Sequence, residues 1–476
     1  MVFQAVRDRV GSWFEPVPQE ALDANARRWD MLAPDLRTVH QVLGIQSAGC
    51  GATVGVMERC DFYCTACYLP HSSQKTPPLP FEQVKEQIDA IRGYLGPTGN
   101  IQLTAGEVTL LPREDLGRIV KYCLDQELKP MVMTNGQTML RDPSYLEYLM
   151  ECGLTKVAIH VDTTQRGRDG HKPDATEKDL HWIRDEFADL IRHMRKKTGR
   201  TLHAAHTFTV TQENQRELDE VVRWSIANAD AFRLLSLQPT ADTGRTRIDR
   251  QGGDVDGLWK QVCKGAGKSI SRAGMTFGHP SCNTVTMHFV VKYGGRTQLV
   301  EFLEGKKDVR FFHELLRKGF GSFTPMDEDS RIDAAMKAAI LLARQPRWLW
   351  EVPHYIMHRM HTERGWLGDF LRTVLTGGDW EINPYALIVH NFMSADELQT
   401  EEGQARLAAC AFRIPFQGEM VSMCEFNGSD MRETSNTDIR RDFGEDPTPG
   451  PGPEIDEEPE AETESVPEPE REGVLV

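Results

Sequence analysis

Three cysteines, Cys60, Cys64 and Cys67, have the residue type and the spacing that most directly indicate chemistry. They follow an apolar, β-branched run at 52–57 in a C-x3-C-x2-C pattern, which brings three thiolates around one site. Three sulfurs can hold three irons of a cubane cluster and leave the fourth iron open. A structural zinc site needs a fourth nearby ligand, so zinc, like three buried thiols without metal, is the weaker interpretation.

The loop at 58–68 resembles the cysteine loop of the radical S-adenosylmethionine (SAM) superfamily. The resemblance implies a [4Fe-4S] cluster on the three cysteines, with the open iron chelated by the amino and carboxylate groups of SAM. It also implies that an electron from the cluster breaks the sulfonium bond and yields a 5′-deoxyadenosyl radical. The chain departs from the family at Ala66, where an aromatic residue is usual, although Tyr63 and Tyr68 lie nearby in the sequence.

The end of the second predicted strand carries Gly106 and Glu107. This segment is similar to the Gly-Gly-Glu-Pro segment of the family, which implies that the Gly106 backbone approaches the methionine of SAM and that Glu107 receives its amino group. Ala105 and Val108 replace the expected Gly and Pro. The alternative is an ordinary Gly-Glu pair at the end of a strand.

The next two strand ends supply further candidates for binding SAM. The resemblance places the turn at Thr134 and Asn135 beside SAM, and the polar residues after the fourth strand favour Asp162 for the ribose. A capped turn is the alternative interpretation for Thr134 and Asn135. A core histidine with its hydrogen bonds satisfied is the alternative for His160.

The sixth strand leaves through Gln238 and continues to Arg245. This exit is predicted to close the site over adenosine or substrate, with Gln238 in the cofactor-binding set. Arg245 is suited to a phosphate or a carboxylate, because a guanidinium donates two parallel hydrogen bonds.

Short apolar runs alternate with helical patterns between 50 and 239, and this rhythm predicts the elements that position these residues. The predicted strands are 52–57, 101–104, 131–134, 156–161, 204–210 and 232–237. Helical patterns follow them, as at 81–94 and 113–126. Six βα units predict an α/β fold with a partial (β/α)6 TIM-like barrel, in which the strand ends converge on one mouth.

The chain divides into four predicted parts. Residues 1–49 are an N-terminal helical extension, and residues 50–245 are the radical SAM core barrel. Residues 246–440 lose the βα rhythm and predict a C-terminal α+β lobe for a substrate or an auxiliary site. Residues 441–476 are rich in Glu, Pro and Gly, so we expect a disordered acidic tail.

Six of the seven remaining cysteines fall into two groups. Cys123 and Cys152 lie in amphipathic helical patterns and are expected to pack as small apolar groups. Four others lie in irregular or strand contexts and suit an auxiliary Fe–S cluster, namely Cys50, Cys282, Cys410 and Cys424. The alternative is that these four are unconnected, because no compact spacing links them.

A histidine stripe occurs in a basic, tryptophan-rich segment near 336–360. His354, His358 and His361 repeat at helical spacing, which suits a metal site or a half-buried helix surface. The segment also has the composition of a helix at a membrane interface, although core packing is the more common outcome.

The composition restricts the partners and the compartment. Of the formal charge of −16, thirteen acids against two arginines after residue 440 account for −11, so residues 1–440 carry only −5. We therefore expect no nucleic-acid partner. Ten cysteines without a secretory leader indicate a reducing compartment, which predicts a cytoplasmic protein.

The resemblance extends loosely to the regions around 282–283 and 410–427, which look like a branch containing archaeal tetraether lipid synthase and pterin methyltransferases. This branch implies hydrogen abstraction from an unactivated C–H bond, followed by carbon–carbon coupling or methylation, with a lipid as the leading substrate class. The expected partners are a reductant such as flavodoxin or ferredoxin and a membrane surface in peripheral contact. The alternatives are a radical SAM methyltransferase of a pterin or another small molecule, and a non-catalytic Fe–S or zinc-binding protein.

Overall fold

The computed structural model of the protein describes residues 18–45, 51–246, 255–272, 274–315, 336, 339–340, 342–362 and 366–446. Within these residues, one mixed sheet contains eleven strands. The strands are β1 Ala52–Met57, β2 Asn100–Ala105, β3 Lys129–Thr134, β4 Lys156–His160, β5 His203–Val210, β6 Phe232–Pro239, β7 Asn283–Tyr293, β8 Arg296–Glu301, β9 Trp380–His390, β10 Arg413–Phe416 and β11 Glu419–Ser422.

The described α-helices surround this sheet. They are α1 Gln19–Asp30, α2 Phe81–Leu95, α3 Arg113–Asp125, α4 Gln137–Arg141, α5 Pro143–Glu151, α6 His181–Thr198, α7 Leu218–Ala227, α8 Val255–Ala266, α9 Lys306–Leu315, α10 Trp348–Thr362, α11 Trp366–Leu375, α12 Glu401–Ala408, α13 Met423–Gly428 and α14 Met431–Phe443. No helix within the described residues is both long enough and apolar enough to cross a membrane.

The six predicted strands are confirmed as β1 to β6, which run parallel in sequential order. Across the whole sheet the order is β11-β10-β1-β2-β3-β4-β5-β6-β9-β7-β8, so β11 and β8 are its two edges. The parallel core is therefore a partial barrel with crossover helices between its strands. Because parallel strands end on one side, the loops after β1, β2, β3, β4 and β6 share that side.

The main core lies between the parallel strands and their crossover helices. Helix α2 shows how the sequence builds it, because Val84, Ile88, Ile91 and Leu95 repeat at intervals of four, three and four residues and are all fully buried. Full burial of each such side chain stabilises the fold by roughly 1.5–3 kcal/mol. Cys123 and Cys152 belong to the same core, as expected from their helical context.

The C-terminal part of the chain extends the sheet at both ends. Strand β9 pairs in parallel with β6 and antiparallel with β7, which continues to β8. At the other end, β10 pairs in parallel with β1 through Ala52 and Arg413. The last described helix, α14, continues to Phe443, beyond the predicted start of the acidic tail. Residues 447–476, which are most of that tail, lie outside the described residues.

Candidate functional site

The cysteine loop lies between the exits of β4 and β6. The amide of Tyr63 donates to the carbonyl of Arg166 at 3.0 Å, and the amide of Thr65 donates to the carbonyl of Thr164 at 2.8 Å. On the other side, the amide of Cys67 donates to Oγ1 of Thr246 at 3.0 Å. The backbone amides of the loop therefore donate hydrogen bonds to both neighbouring exits, and its three cysteines are partly buried.

The three thiols lie within electrostatic reach of one another. Burial raises the pKa of the Cys60 thiol, and the neighbouring Cys64 raises it further. Burial likewise raises the pKa of Cys64, with a further contribution from Cys67. The structure thus brings together the three cysteines that the spacing groups.

Arg245 is the cation beside this loop. Its Nη2 donates to Sγ of Cys67 at 3.3 Å, and its guanidinium lies 5.0 Å from the centroid of the Tyr63 ring. The Nε and Nη1 atoms of Arg245 are buried and have no hydrogen-bond partner among the described residues. Buried donors without partners are costly, so an acceptor such as a cluster sulfide or a carboxylate would suit this position. In the chemistry of their donor atoms, Cys60, Cys64, Cys67 and Arg245 therefore suit an iron–sulfur cluster with a bound carboxylate ligand.

Gly106 lies against the cysteine loop. A Cβ atom at this position would lie 2.2 Å from the carbonyl oxygen of Arg59 and 2.5 Å from that of Glu58. The amide of Gly106 donates to the carbonyl of Met57 at 2.6 Å. The bare backbone of Gly106 thus lets the end of β2 touch the residues just before Cys60, and its predicted contact with SAM stays a prediction.

Glu107 links the exits of β2 and β3. Its fully buried carboxylate accepts from Oγ1 of Thr134 at 2.7 Å, from the amide of Asn135 at 2.6 Å, and from Thr109. Burial raises the pKa of Glu107, and the nearby Asp61 raises it further. The Glu107 carboxylate is surrounded by hydrogen-bond donors of the protein. For Glu107 to bind the amino group of SAM, which is the prediction, that amino group must replace one of these donors.

Thr134 and Asn135 are next to the cysteine loop, and their predicted place beside SAM stays a prediction. The side-chain amide of Asn135 donates to Oδ1 of Asp61, the residue after Cys60, at 2.7 Å. The amide of Gly136 donates to Oγ1 of Thr134 at 2.8 Å, so this segment is also a capped turn. A capped turn and a turn that lies beside SAM are compatible interpretations of this segment.

Asp162 and His160 form a pair at the exit of β4. The Asp162 carboxylate is completely buried and is paired with His160, while the amides of Thr164 and Thr209 donate to it at 2.9 and 2.8 Å. Although burial opposes the shift, His160 holds the pKa of Asp162 well below its usual range. The partly exposed group of the pair is the imidazole of His160, with 26% of its side chain accessible. The assignment of Asp162 to the ribose stays a prediction, and His160 is the nearer of the two to solvent.

Gln238 lies at the end of β6, opposite Thr209 of β5. Its side-chain amide donates to Oγ of Ser236 at 3.3 Å and is partly buried. Further along this exit, a Cβ atom on Gly244 would lie 2.2 Å from the carbonyl of Tyr68. The exit of β6 therefore packs directly on the cysteine loop, which is how Arg245 reaches Cys67.

Arg168 is a site residue that the sequence reasoning missed. Its guanidinium is buried and donates to the carbonyls of Asn135 and His160 at 2.7 and 2.8 Å. It also lies 5.1 Å from the centroid of the Phe62 ring, within the cysteine loop. Burial lowers the pKa of Arg168 to about 10, while the nearby Cys64 acts in the opposite direction. The basic, glycine-containing segment after β4 was the available sequence signal.

Three of the four candidate auxiliary cysteines converge in the C-terminal lobe. Burial raises the pKa of Cys424 to about 12, and both Cys410 and Cys282 raise it further. Sγ of Cys410 donates to the carbonyl of Phe412 at 3.1 Å, and that same carbonyl accepts from the amide before Cys424 at 3.0 Å. The auxiliary cluster on these cysteines stays a prediction, as does the alternative that they are unconnected.

A buried arginine lies beside this second cysteine group. Burial raises the pKa of Cys282, while Arg406 acts in the opposite direction. Arg406 also donates to the carbonyl of Asn391 at 2.6 Å. Asn391 in turn donates its amide to the carbonyl of Cys282 at 2.8 Å. The fourth candidate, Cys50, lies outside the described residues. Within the described residues, no three His, Cys, Asp or Glu side chains are arranged to bind a single metal ion.

The histidine stripe lies on α10, with His354 and His358 exposed on its outer surface. The side chain of His361 lies outside the described residues. The same helix buries Trp348 but exposes 81% of Trp350 and 62% of Met357. Core packing, the more common outcome for this segment, therefore holds only for the inner face of α10.

Comparisons with known proteins agree with this arrangement. Residues 54–225 match the family model of the Radical SAM superfamily. The 7,8-dihydro-6-hydroxymethylpterin dimethyltransferase of Methanocaldococcus jannaschii is 27% identical over 197 residues, covering 41% of this chain and 37% of that protein. The GTP 3′,8-cyclase of Rhizobium meliloti is 24% identical over 203 residues, covering 41% of this chain and 54% of that protein. The matched segment thus spans less than two thirds of either relative.

Solved structures with partial similarity include SuiB of Streptococcus suis bound to S-adenosylmethionine. It is 17% identical, with a TM-score of 0.33, covering 45% of this chain and 46% of that chain.

The parallel strands and the cysteine loop at their carboxyl ends define a radical SAM domain, a class of domain that uses a [4Fe-4S] cluster and SAM. Residues 54–225 of this chain are therefore a domain of the radical SAM superfamily. Enzymes of this superfamily generally take their electron from a donor such as flavodoxin or ferredoxin.

Proposed function

We propose that this protein is an enzyme that reductively cleaves SAM at a [4Fe-4S] cluster and abstracts hydrogen from an unactivated C–H bond of a hydrophobic, lipid-like substrate. The observation that carries the first half is the loop of Cys60, Cys64 and Cys67 with Arg245 beside it. When bound, the cluster and SAM supply an electron and a sulfonium bond whose cleavage gives a 5′-deoxyadenosyl radical. We further propose a reducing, cytoplasmic compartment.

The residues of this chain would hold the cofactors in the following way. The three cysteines provide thiolates to three irons, and the buried, unpartnered Nε and Nη1 of Arg245 are available to an acceptor beside Cys67. His160, backed by the buried Asp162, offers a partly exposed imidazole at the same mouth. Arg168 keeps the exits of β3 and β4 together beneath the loop.

The lipid half of the proposal is supported by exposed apolar side chains on the C-terminal lobe. On α10, Leu349, Trp350 and Met357 are 59%, 81% and 62% exposed, and Leu375 at the end of α11 is 85% exposed. Arg344 is exposed just before α10. Helices with a Trp-containing apolar face and flanking basic residues bind membrane interfaces. Contact with a membrane surface would bring a lipid substrate to the enzyme.

The second candidate function is methylation of a pterin or another small molecule. It is favoured by the similarity to the archaeal pterin dimethyltransferase over 197 residues. Such a reaction consumes one SAM as the methyl donor, which becomes S-adenosylhomocysteine, and a second SAM as the source of the radical. A coupling or dehydrogenating enzyme instead forms 5′-deoxyadenosine without S-adenosylhomocysteine.

Product analysis separates these two functions. The reconstituted, reduced protein is incubated with SAM and either archaeal-type lipid or reduced pterin, and both SAM products are quantified. We expect 5′-deoxyadenosine to rise with lipid while S-adenosylhomocysteine stays at the level of the control without substrate. S-adenosylhomocysteine formed in proportion to a methylated pterin would overturn the lipid proposal in favour of the second candidate. A non-catalytic metal protein would form neither product.

We also propose that Cys282, Cys410 and Cys424 hold a second Fe–S cluster. Their convergence beside Arg406 supports this, and Cys50 is the fourth ligand that the sequence offers. The test is the iron content after reconstitution, since a second cubane adds about four irons per chain. A Cys424→Ser variant should lose this increment and retain the first cluster, whereas an unchanged iron content would contradict the proposal.

A further inference from the structure

The C-terminal helix α14 lies along the segment that leaves the cysteine loop. The side-chain amide of Asn436 donates to Oγ of Ser73 at 3.0 Å. One turn later, Nη1 of Arg440 donates to the carbonyl of Ser72 at 3.1 Å. Helix α14 is therefore hydrogen-bonded to the radical SAM domain, although more than 350 residues separate the bonded residues along the chain.

Arg432, in the first turn of α14, forms a buried ion pair with Glu58 of the radical SAM domain. Its side chain is 2% exposed, and its Nη1 donates to Oε2 of Glu58 at 2.6 Å. Its Nε donates to Oδ1 of Asn427 at 2.6 Å. A buried guanidinium paired with a buried carboxylate requires both partners, because removal of either leaves an uncompensated charge. Glu58 and α14 are therefore expected to order together.

The guanidinium of Arg432 contacts both ends of the cysteine loop. Glu58 stands two residues before Cys60, and the ring of Tyr68, which directly follows Cys67, has its centroid 5.1 Å from the guanidinium carbon. The hydroxyl of Tyr68 donates to the carbonyl of Ala105 at 2.7 Å, at the end of β2. One side chain thus contacts the entrance and the exit of the loop.

The same guanidinium also contacts an aromatic ring near the second cysteine group. The ring of Phe426 has its centroid 4.7 Å from the guanidinium carbon, and Phe426 lies two residues after Cys424 in α13. The planar guanidinium is suited to contact aromatic rings, and a lysine cannot reproduce that packing together with the directed hydrogen bonds. Arg432 therefore contacts two aromatic rings, Tyr68 and Phe426, and each ring lies close in the sequence to one of the cysteine groups.

We propose that Arg432 is a positioning residue that fixes the geometry of the Cys60–Cys67 loop and couples it to the Cys410–Cys424 segment. The proposal rests on the proposed function only in that the loop carries a cluster. Arg432 acts through Glu58 and Tyr68 and is not itself in contact with the thiols in the described contacts. The C-terminal segment is accordingly a part of the radical SAM site.

The test compares Arg432→Met with Arg441→Met, which changes an exposed arginine of the same helix that forms ion pairs with Asp438 and Asp442. Both reconstituted full-length variants are examined for the electron paramagnetic resonance (EPR) spectrum and midpoint potential of the reduced cluster, and for SAM cleavage. We expect Arg432→Met to change the spectrum and the potential and to slow SAM cleavage about 10- to 100-fold, since a displacement of about 1 Å has effects of that size. Arg441→Met should match the wild type.

Two further variants allow the proposal to be tested even if Arg432→Met does not fold. Arg432→Lys retains a cation without the planar group, and Glu58→Gln retains the size of the acceptor without its charge. If Arg432→Met does not fold, both milder variants should fold and still shift the spectrum and the potential. Wild-type spectra, potentials and rates in every folded variant would overturn the positioning role. Failure of the wild type itself to bind a cluster would instead refute the proposed function.

Discussion

At the residue scale, the cysteine loop depends on close backbone contacts that only glycine permits. Gly106 brings the end of β2 against the carbonyl groups of Arg59 and Glu58, which directly precede Cys60. The hydrogen bond from the amide of Gly106 to Met57 holds this approach. The position of the first thiol is therefore set by a residue on the neighbouring strand.

A Gly106→Ala substitution tests this contact. The added methyl group would lie 2.2 Å from the carbonyl oxygen of Arg59, so the loop must move. We expect a loss of roughly 1–3 kcal/mol in the free energy of unfolding, together with lower iron loading. Urea unfolding and iron content after reconstitution measure the two effects.

Gly93→Ala is the matched control, because a Cβ atom at Gly93 in α2 meets nothing within 4 Å. It should retain full iron loading and gain up to about 1 kcal/mol in the free energy of unfolding, since alanine is the better helix former. Full iron loading and wild-type stability in Gly106→Ala would contradict the account of the loop.

The sequence predicted which strand ends carry polar residues, but not how these residues pair. Gly106, Glu107, Asn135 and Asp162 are all at the predicted exits, because the spacing of strands fixes that placement. Their partners come from other loops, as Arg168 shows by binding the exits of both β3 and β4. Such pairing depends on tertiary contacts, which local periodicity does not encode.

At the scale of elements, the alternation of apolar and helical patterns was enough to predict the parallel strands, but it did not predict the outer strands. Strand β10 is joined to β1 by the pair of Ala52 and Arg413, far apart in the sequence. Strand β9 similarly extends the barrel beyond β6. The order of these added strands depends on long-range pairing, so a single sequence predicts an α+β lobe without its register.

An ionic network fixes the position of β7 relative to the barrel. Asp230, just before β6, accepts from Nε of Arg192 in α6 at 2.7 Å and from Nζ of Lys292 in β7 at 3.2 Å. Although burial raises it, these two partners lower the pKa of Asp230 to about 2. A lowered pKa means that the charged carboxylate stabilises the folded state.

The Asp230→Asn substitution should therefore destabilise the protein in a way that depends on pH. Above the unfolded-state pKa of about 3.9, we expect a loss of about 1–2 kcal/mol, reduced by solvent screening. The difference should shrink as the pH falls from about 4 toward 2, because the carboxyl group then becomes protonated in both states. Denaturant unfolding across this range measures it.

Asp189→Asn serves as the control for that experiment. Asp189 contacts the same Arg192 at 3.1 Å but is 78% exposed, so its loss should change the free energy of unfolding by less than about 0.5 kcal/mol. A pH-independent difference between Asp230→Asn and the wild type would show that the network acts through packing rather than charge.

At the scale of the whole molecule, the chain combines a radical SAM domain with a C-terminal lobe that exposes apolar side chains. The lobe flanks the parallel strands at both ends of the sheet, and its outer helix presents Leu349, Trp350 and Met357 to solvent. The sequence identified this segment as unusual in composition. Which face of this segment is exposed is known only from the structure, in which Trp348 and Tyr355 pack on the inner side.

A liposome experiment tests the proposed membrane contact. The wild type should co-sediment with anionic vesicles, and a Trp350→Ser, Met357→Ser double variant should bind at least about tenfold more weakly, because it loses apolar contact area. Trp182→Ser removes a tryptophan that is 46% exposed elsewhere and should bind like the wild type. Equal binding by all three proteins, or none by the wild type, would remove the support for a lipid surface.

The central claim is that Cys60, Cys64 and Cys67 carry a cluster that cleaves SAM. The most direct measurement is anaerobic reconstitution with iron and sulfide, reduction with dithionite in the presence of SAM, and quantification of 5′-deoxyadenosine. The wild type and a Cys123→Ala control, which alters a cysteine in the barrel core, should form 5′-deoxyadenosine, whereas Cys64→Ala should form none. Equal product from Cys64→Ala, or no product from a wild type with a loaded cluster, would contradict the account.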